Sequence, residues 1–165
     1  MIAIGIDYGS TNSLVATFVP KIEGNIPITH LKSAVTYNCE YILSPKRMLH
    51  NIDAISQEDI NKICRCIELC VNMLLTTHIE GHESDYKQVS MAITVPNAFK
   101  DRECRILKSI VESNIRGILK AKGIDSSIEV SIIPEPIAAA LYFAYAMDRI
   151  GCLHNEQHIV VSDVG

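Results

Sequence analysis

The sequence predicts an α/β fold with a mixed five-stranded sheet and helices on its faces. Three extended apolar segments open the chain in quick succession, parted by turns rich in Gly, Asn and Pro. After about residue 56, helical periodicity alternates with single apolar strands. Composition agrees: 165 residues suit one domain with a substantial core, and 48% apolar with 21% charged residues mark a globular chain, here without Trp.

The first three strands are expected at residues 2–7, 12–19 and roughly 26–31, an antiparallel meander because their links are short. Residues 34–37 carry a weaker strand signal, and 41–50, interrupted by Pro45, read as irregular. A helix is predicted over 57–77, with Ser56 and Asp59 spaced as a capping box and Ile60, Ile63, Cys64, Ile67, Val71, Leu74 and Leu75 on one 3.6-residue face. A polar loop at 81–85 leads to a buried strand at 89–95, stopped by Pro96. A second helix, 101–122, ends at Gly123, followed by a strand at 128–133, the break Pro134-Glu135-Pro136, a third helix at 137–149 and a last strand at 159–162. The order is β-β-β-α-β-α-β-α and then an orphan C-terminal strand. Each α-β crossover adds a parallel strand with right-handed connection, which gives the ribonuclease-H-like layout. A dinucleotide fold would begin with a βαβ unit, and no Gly-x-x-x-x-Gly-Lys-Ser/Thr occurs.

Charge and cysteine usage exclude further classes. With 15 Lys+Arg against 19 Asp+Glu, and no basic cluster beyond Lys46-Arg47, a nucleic-acid footprint is not expected. No apolar run approaches the roughly 20 residues that span a bilayer. Met1 leads into a strand without the basic stretch of a signal peptide, so a cytoplasmic setting is expected. The six cysteines read as reduced, mostly buried thiols. Cys64, Cys66 and Cys70 cluster, but on a helix their thiols spread over different faces with no fourth ligand nearby, which weighs against zinc or iron–sulfur.

The opening, Gly5-Ile6-Asp7-Tyr8-Gly9-Ser10-Thr11-Asn12-Ser13, delivers one carboxylate from an apolar strand into a turn of Gly and hydroxyl residues. Such a turn offers N–H groups and hydroxyls to phosphates and an Asp to a metal. The same letters also make an ordinary hairpin.

Four separated segments, however, resemble one family. The opening resembles the first phosphate motif of the seventy-kilodalton heat-shock chaperones, within the actin/hexokinase-like ATPases. Ala92-Ile93-Thr94-Val95-Pro96-Asn97-Ala98-Phe99-Lys100-Asp101 resembles their strand-Pro-aromatic connection, Ile132-Ile133-Pro134-Glu135-Pro136-Ile137-Ala138-Ala139-Ala140-Leu141 their Glu-Pro-x-Ala-Ala-Ala segment, and Ile159-Val160-Val161-Ser162-Asp163-Val164-Gly165 the start of their second phosphate motif. The resemblance implies a chaperone-like, magnesium-dependent ATPase. Asp7 and Asp163 would orient magnesium through its water shell, Gly9, Ser10, Thr11 and Asn12 with Gly165 would hold the phosphates of ATP or ADP, and Glu135, with Asp7, would position the metal or the attacking water. Asp7 and Glu135 should then share one edge of the sheet. Implied partners are client proteins and co-chaperones, with neither nucleic acid nor membrane.

Two departures qualify this. The family carries a longer subdomain, abbreviated here over about 32–54, whose Lys contacts the transferred phosphate; no match to that Lys stands out, and Lys46 and Arg47 are expected at the surface. The second phosphate loop should begin where the sequence stops, so 1–152 is expected to be lobe one and 153–165 a linker with the first strand of a second lobe. Such a piece is expected to be nearly inactive alone and to form, at most, a strand-exchanged dimer. The rival readings are an actin-like filament or cell-shape protein and a degenerate, non-hydrolysing interaction module.

Overall fold

A computed structural model describes residues 2–18, 28–78 and 87–152. The elements are β1 (Ile2–Tyr8), β2 (Asn12–Phe18), β3 (Ile28–Lys32), β4 (Ala34–Tyr37), β5 (Glu40–Leu43), a 3-10 segment (Pro45–Ala54), α1 (Gln57–His78), β6 (Gln88–Val95), α2 (Asp101–Ala121), β7 (Ser127–Pro134) and α3 (Glu135–Arg149). Five strands form one sheet in the order β3-β2-β1-β6-β7, and β4 with β5 forms a separate hairpin. β1, β2 and β3 pair antiparallel, whereas β6 runs parallel to β1 and β7 parallel to β6. This is the mixed, ribonuclease-H-like sheet that the element order predicts.

Period-two alternation sets the core. β1 buries Ile2, Ile4, Ile6 and Tyr8, and β6 buries Val89, Met91, Ile93 and Val95, so residues paired in the parallel register turn inward together. α1 brings Ile63, Cys66 and Ile67 to this face and α2 brings Leu107, Val111, Ile115 and Leu119, joining one apolar cluster. α3 packs on β6 and β7 but buries none of its own residues fully.

Local chemistry fixes the helix ends. At α1 the Ser56 N–H and hydroxyl donate to the Asp59 carboxylate at 3.0 and 2.7 Å, and the Asp59 N–H donates back to the Ser56 hydroxyl at 3.1 Å. These donations, the hydroxyl first, hold the Asp59 carboxyl below its ordinary 3.8. α2 closes in a Schellman turn: Gly123 sits at φ 74°, its N–H donating to the Lys120 carbonyl and that of Ile124 to the Leu119 carbonyl, each at 3.0 Å.

Three expectations change. Residues 41–50 are not simply irregular: they contain most of β5 and the start of the 3-10 segment. The hairpin escapes a sequence reading because its turn uses Asn38 and Cys39 at φ 48° and 66°, a conformation usually signalled by Asn-Gly. α3 begins at Glu135 rather than 137, since Pro136 lies in the first turn, where a missing N–H has no consequence. Cys66 and Cys70 share a buried face, with Cys64 only half-buried. The expected strand at 159–162 and the loop at 81–85 lie outside the described residues. No helix among the described residues is long and apolar enough to cross a membrane.

Ile67→Ala, which empties a fully buried position in the apolar cluster, is expected to lower stability by about 2–5 kcal/mol in urea unfolding. Asp59→Asn should remove a small cap contribution that is present in full above pH 3.8 and fades as pH falls through the carboxyl's lowered folded value. Urea midpoints for wild type and variant should therefore differ at neutral pH and converge in strong acid.

Candidate functional site

The parallel register carries three strands to a common edge. Asp7 pairs with Thr94, Thr94 with Ile133, and Val95 with Pro134, so Asp7 near the end of β1 and Glu135 just beyond β7 stand at the same end of the sheet. Ligands of open α/β sheets gather at this carboxyl edge. The Thr94 hydroxyl donates to Asp7 Oδ1 at 2.6 Å, which fixes the carboxylate and leaves Oδ2 without a partner among the described residues.

The turn after β1 is held from behind by its carbonyls. The Gly9 carbonyl accepts from the Ser33 hydroxyl at 2.6 Å, the Thr11 carbonyl accepts from the Ser33 N–H at 2.9 Å, and the Ser10 carbonyl accepts from the Ser44 hydroxyl. Ser13 and Ser33 hydroxyls join at 2.8 Å beneath the turn. With three successive carbonyls turned inward, the Ser10 and Thr11 N–H groups have no acceptor among the described residues, and Thr11 and Asn12 are exposed. Gly9 is required sterically: a Cβ there would meet the Asn12 carbonyl oxygen at 2.2 Å. Ser44 adopts the left-handed region, φ 52°, and its N–H also donates to the Ser33 carbonyl at 2.7 Å, so the turn and the segment before Pro45 are stitched together.

Lys46 overturns the surface reading. Only 2% of its side chain is exposed, and Nζ lies 2.7 Å from Glu135 Oε1, with Glu135 at 28%. The ammonium stands 5.9 Å from the ring centroids of both Tyr8 and Phe99. A carboxylate and two π faces thus replace its hydration. Pro45 at the start of the 3-10 segment directs Lys46 inward, while Arg47 is exposed as expected. Sequence reasoning missed this lysine because no match to the phosphate-contacting Lys stands out in the shortened stretch 32–54. The available signal was position: Lys46 and Arg47 are the only adjacent basic pair in the shortened stretch. Thr94, Ser33 and Ser44 were also unforeseen as supports.

Of the residues the sequence singled out, Asp7, Glu135 and the turn of Gly9, Ser10, Thr11 and Asn12 lie along this edge. Asp163 and Gly165 lie outside the described residues. Two surface depressions of about 530 and 570 Å³, one at the end of α2 around Arg116 and Ile124, the other between α1 and α2 around Asn72 and Gly117, contain none of them.

No protein-family model and no curated protein matches the chain. Solved structures do resemble it. They include the MamK double helical filament, 15% identical with a TM-score of 0.49, over 90% of this chain and 44% of that one. A Ppx/GppA family member from Aquifex aeolicus is 16% identical, TM-score 0.40, over 90% and 40%. Thermus thermophilus RuvC is 12% identical, TM-score 0.35, over 80% and 64%. The chain spans less than half the length of the first two.

The ion pair predicts an asymmetry. Glu135→Ala strands a nearly fully buried ammonium and should lower stability by about 3 kcal/mol. Lys46→Met removes the buried charge, keeps the packing and leaves a part-exposed carboxylate free to reach water, so urea unfolding should show a loss of about 1 kcal/mol or less.

Proposed function

We propose that this chain is the phosphate-holding lobe of an actin-like, magnesium-dependent ATPase. The observation that carries the reading is the buried Lys46 ammonium beside a turn whose carbonyls are tied back and whose N–H groups stay free. A terminal phosphate anion would find the Ser10 and Thr11 N–H groups, nearby hydroxyls and one desolvated cation, the elements from which phosphate sites are built.

Magnesium is tested by the donor set. Hard oxygen suits it, and it commonly takes one or two carboxylates with substrate phosphates completing its shell. Asp7 offers a fixed carboxylate with one free oxygen. No group of three His, Cys, Asp or Glu able to hold a metal stands together among the described residues, so the ion would arrive with the nucleotide. When bound, it neutralises charge on the phosphate oxygens. Asp163 and Gly165 belong to the same proposal. On this reading Lys46 exchanges Glu135 for the terminal phosphate, and the released carboxylate accepts a proton from the attacking water. Positioning supplies most of the catalysis.

The chaperone assignment, with client proteins and co-chaperones as partners and a cytoplasmic setting, rests on the four sequence motifs. Against a degenerate, non-hydrolysing module, Lys46 offers a candidate for the phosphate-contacting lysine; turnover in a longer protein carrying this lobe separates the two readings. The filament reading is separated by sedimentation: nucleotide-dependent polymers would replace the chaperone assignment.

Calorimetry on the chain 1–165 should give Mg-ATP binding weaker than micromolar, because one lobe leaves base and ribose without pockets. In a longer protein carrying this lobe, Lys46→Ala and Asp7→Asn should each lower ATP turnover by about 100-fold or more. Unchanged turnover in both variants would sink the site.

A further inference from the structure

Beneath the turn and Lys46 lies a pair of thiols that phosphate chemistry does not use. Cys66 and Cys70 are four residues apart on α1, 2% and 3% exposed. Both line a depression of about 290 Å³ between α1 and the β3–β4 region, with Leu69 and the exposed Lys32 at its wall. A small oxidant therefore has a route to sulfur that burial alone would deny.

The pair touches the candidate site from two sides. Tyr8, whose ring lies under the Lys46 ammonium, has a buried hydroxyl with no formed hydrogen bond among the described residues, resting against the Cys66 thiol. Cys70 meets Cys66 on one side and the Ser13 hydroxyl on the other, and Ser13 continues through Ser33 to the Gly9 carbonyl. The two thiols differ. Donation from Cys70 holds the Cys66 thiol below its ordinary value despite burial, whereas the bond to Cys66 and burial push Cys70 far up.

We propose that Cys66 and Cys70 are a peroxide-oxidisable dithiol whose disulfide loosens the 9–12 turn and the seat of Lys46. The Cys66 thiolate attacks a peroxide oxygen: an S–O bond forms, the O–O bond breaks, and hydroxide leaves as water after taking a proton. The Cys70 sulfur then attacks Cys66, forming S–S and releasing the hydroxyl as a second water with the Cys70 proton. The dithiol loses two electrons and the peroxide gains them.

Helix geometry explains the coupling. Residues four apart have Cα atoms about 6.2 Å apart, inside the roughly 4.4–6.8 Å range for disulfides. Their Cβ atoms lie about 5–6 Å apart, beyond the roughly 3.5–4.5 Å a disulfide adopts. Closing the bond must deform one turn of α1, the turn that supports Tyr8 and Ser13.

The test uses the chain 1–165 with the exposed thiols removed, Cys39→Ser with Cys152→Ser, treated with about one equivalent of hydrogen peroxide. Trypsin cuts after Arg65 and Lys87, so the peptide 66–87 carries both thiols and no other cysteine. Mass spectrometry should find it two hydrogens lighter, and Cys70→Ser should instead yield a dimedone adduct on Cys66. Oxidation confined to Cys64 and Cys104, or none, overturns the proposal. In the oxidised chain, amide exchange at Ser33 and Ser44, whose N–H groups donate to the Thr11 and Ser33 carbonyls and so hold the turn, should quicken about tenfold and return with dithiothreitol. A disulfide without that change overturns the coupling. A consequent loss of Mg-ATP affinity rests on the proposed function; absence of nucleotide binding in the reduced chain would count against that function alone, since the exchange and mass readouts do not use nucleotide.

Discussion

One nearly inaccessible ammonium organises the carboxyl edge of the sheet. Removing a lysine head from water is expensive, and the structure offsets it with Glu135 at 2.7 Å and flanking Tyr8 and Phe99 rings. Each partner comes from a different element: Tyr8 from β1, Phe99 from the turn after β6, Glu135 from the first residue of α3. Satisfying the one charge therefore fixes three chain segments relative to one another. A buried ion pair adds little net stability over apolar packing, yet stranding its ammonium is costly, so the pair specifies how the three segments meet more than it stabilises the fold.

The turn after β1 follows a complementary logic. Its carbonyls are all engaged by Ser33 and Ser44, which are reached through β3 and the β4–β5 hairpin. Engaged acceptors leave the donors outward, and an outward row of N–H groups is a partial positive charge without a side chain. The left-handed Ser44 is a local strain maintained by two hydrogen bonds to this arrangement.

Much of the fold was legible because it is written in local periodicity: alternation in β1 and β6, the 3.6-residue faces of α1 and α2, Gly123 as a stop. The β4–β5 hairpin was not, because Cys39 gives no hint of positive φ. At the site, Asp7, residues 9–12 and Glu135 were legible through short motifs. Lys46 was not, since burial depends on which side chains surround it, and those lie 38 to 89 positions away, between Tyr8 and Glu135.

That division follows from how the edge is built. Its bonds join Thr94 to Asp7, Ser44 to Ser10, Ser33 to Gly9 and Lys46 to Glu135, over separations of 87, 34, 24 and 89 residues. Closing loops of this length costs chain entropy that packing of the sheet must offset. The edge therefore depends on the whole fold, and no single stretch of sequence contains it. The same dependence places Cys66 and Cys70 where a change in one helical turn would be felt at the turn after β1, through the paired residues Tyr8 and Ser13.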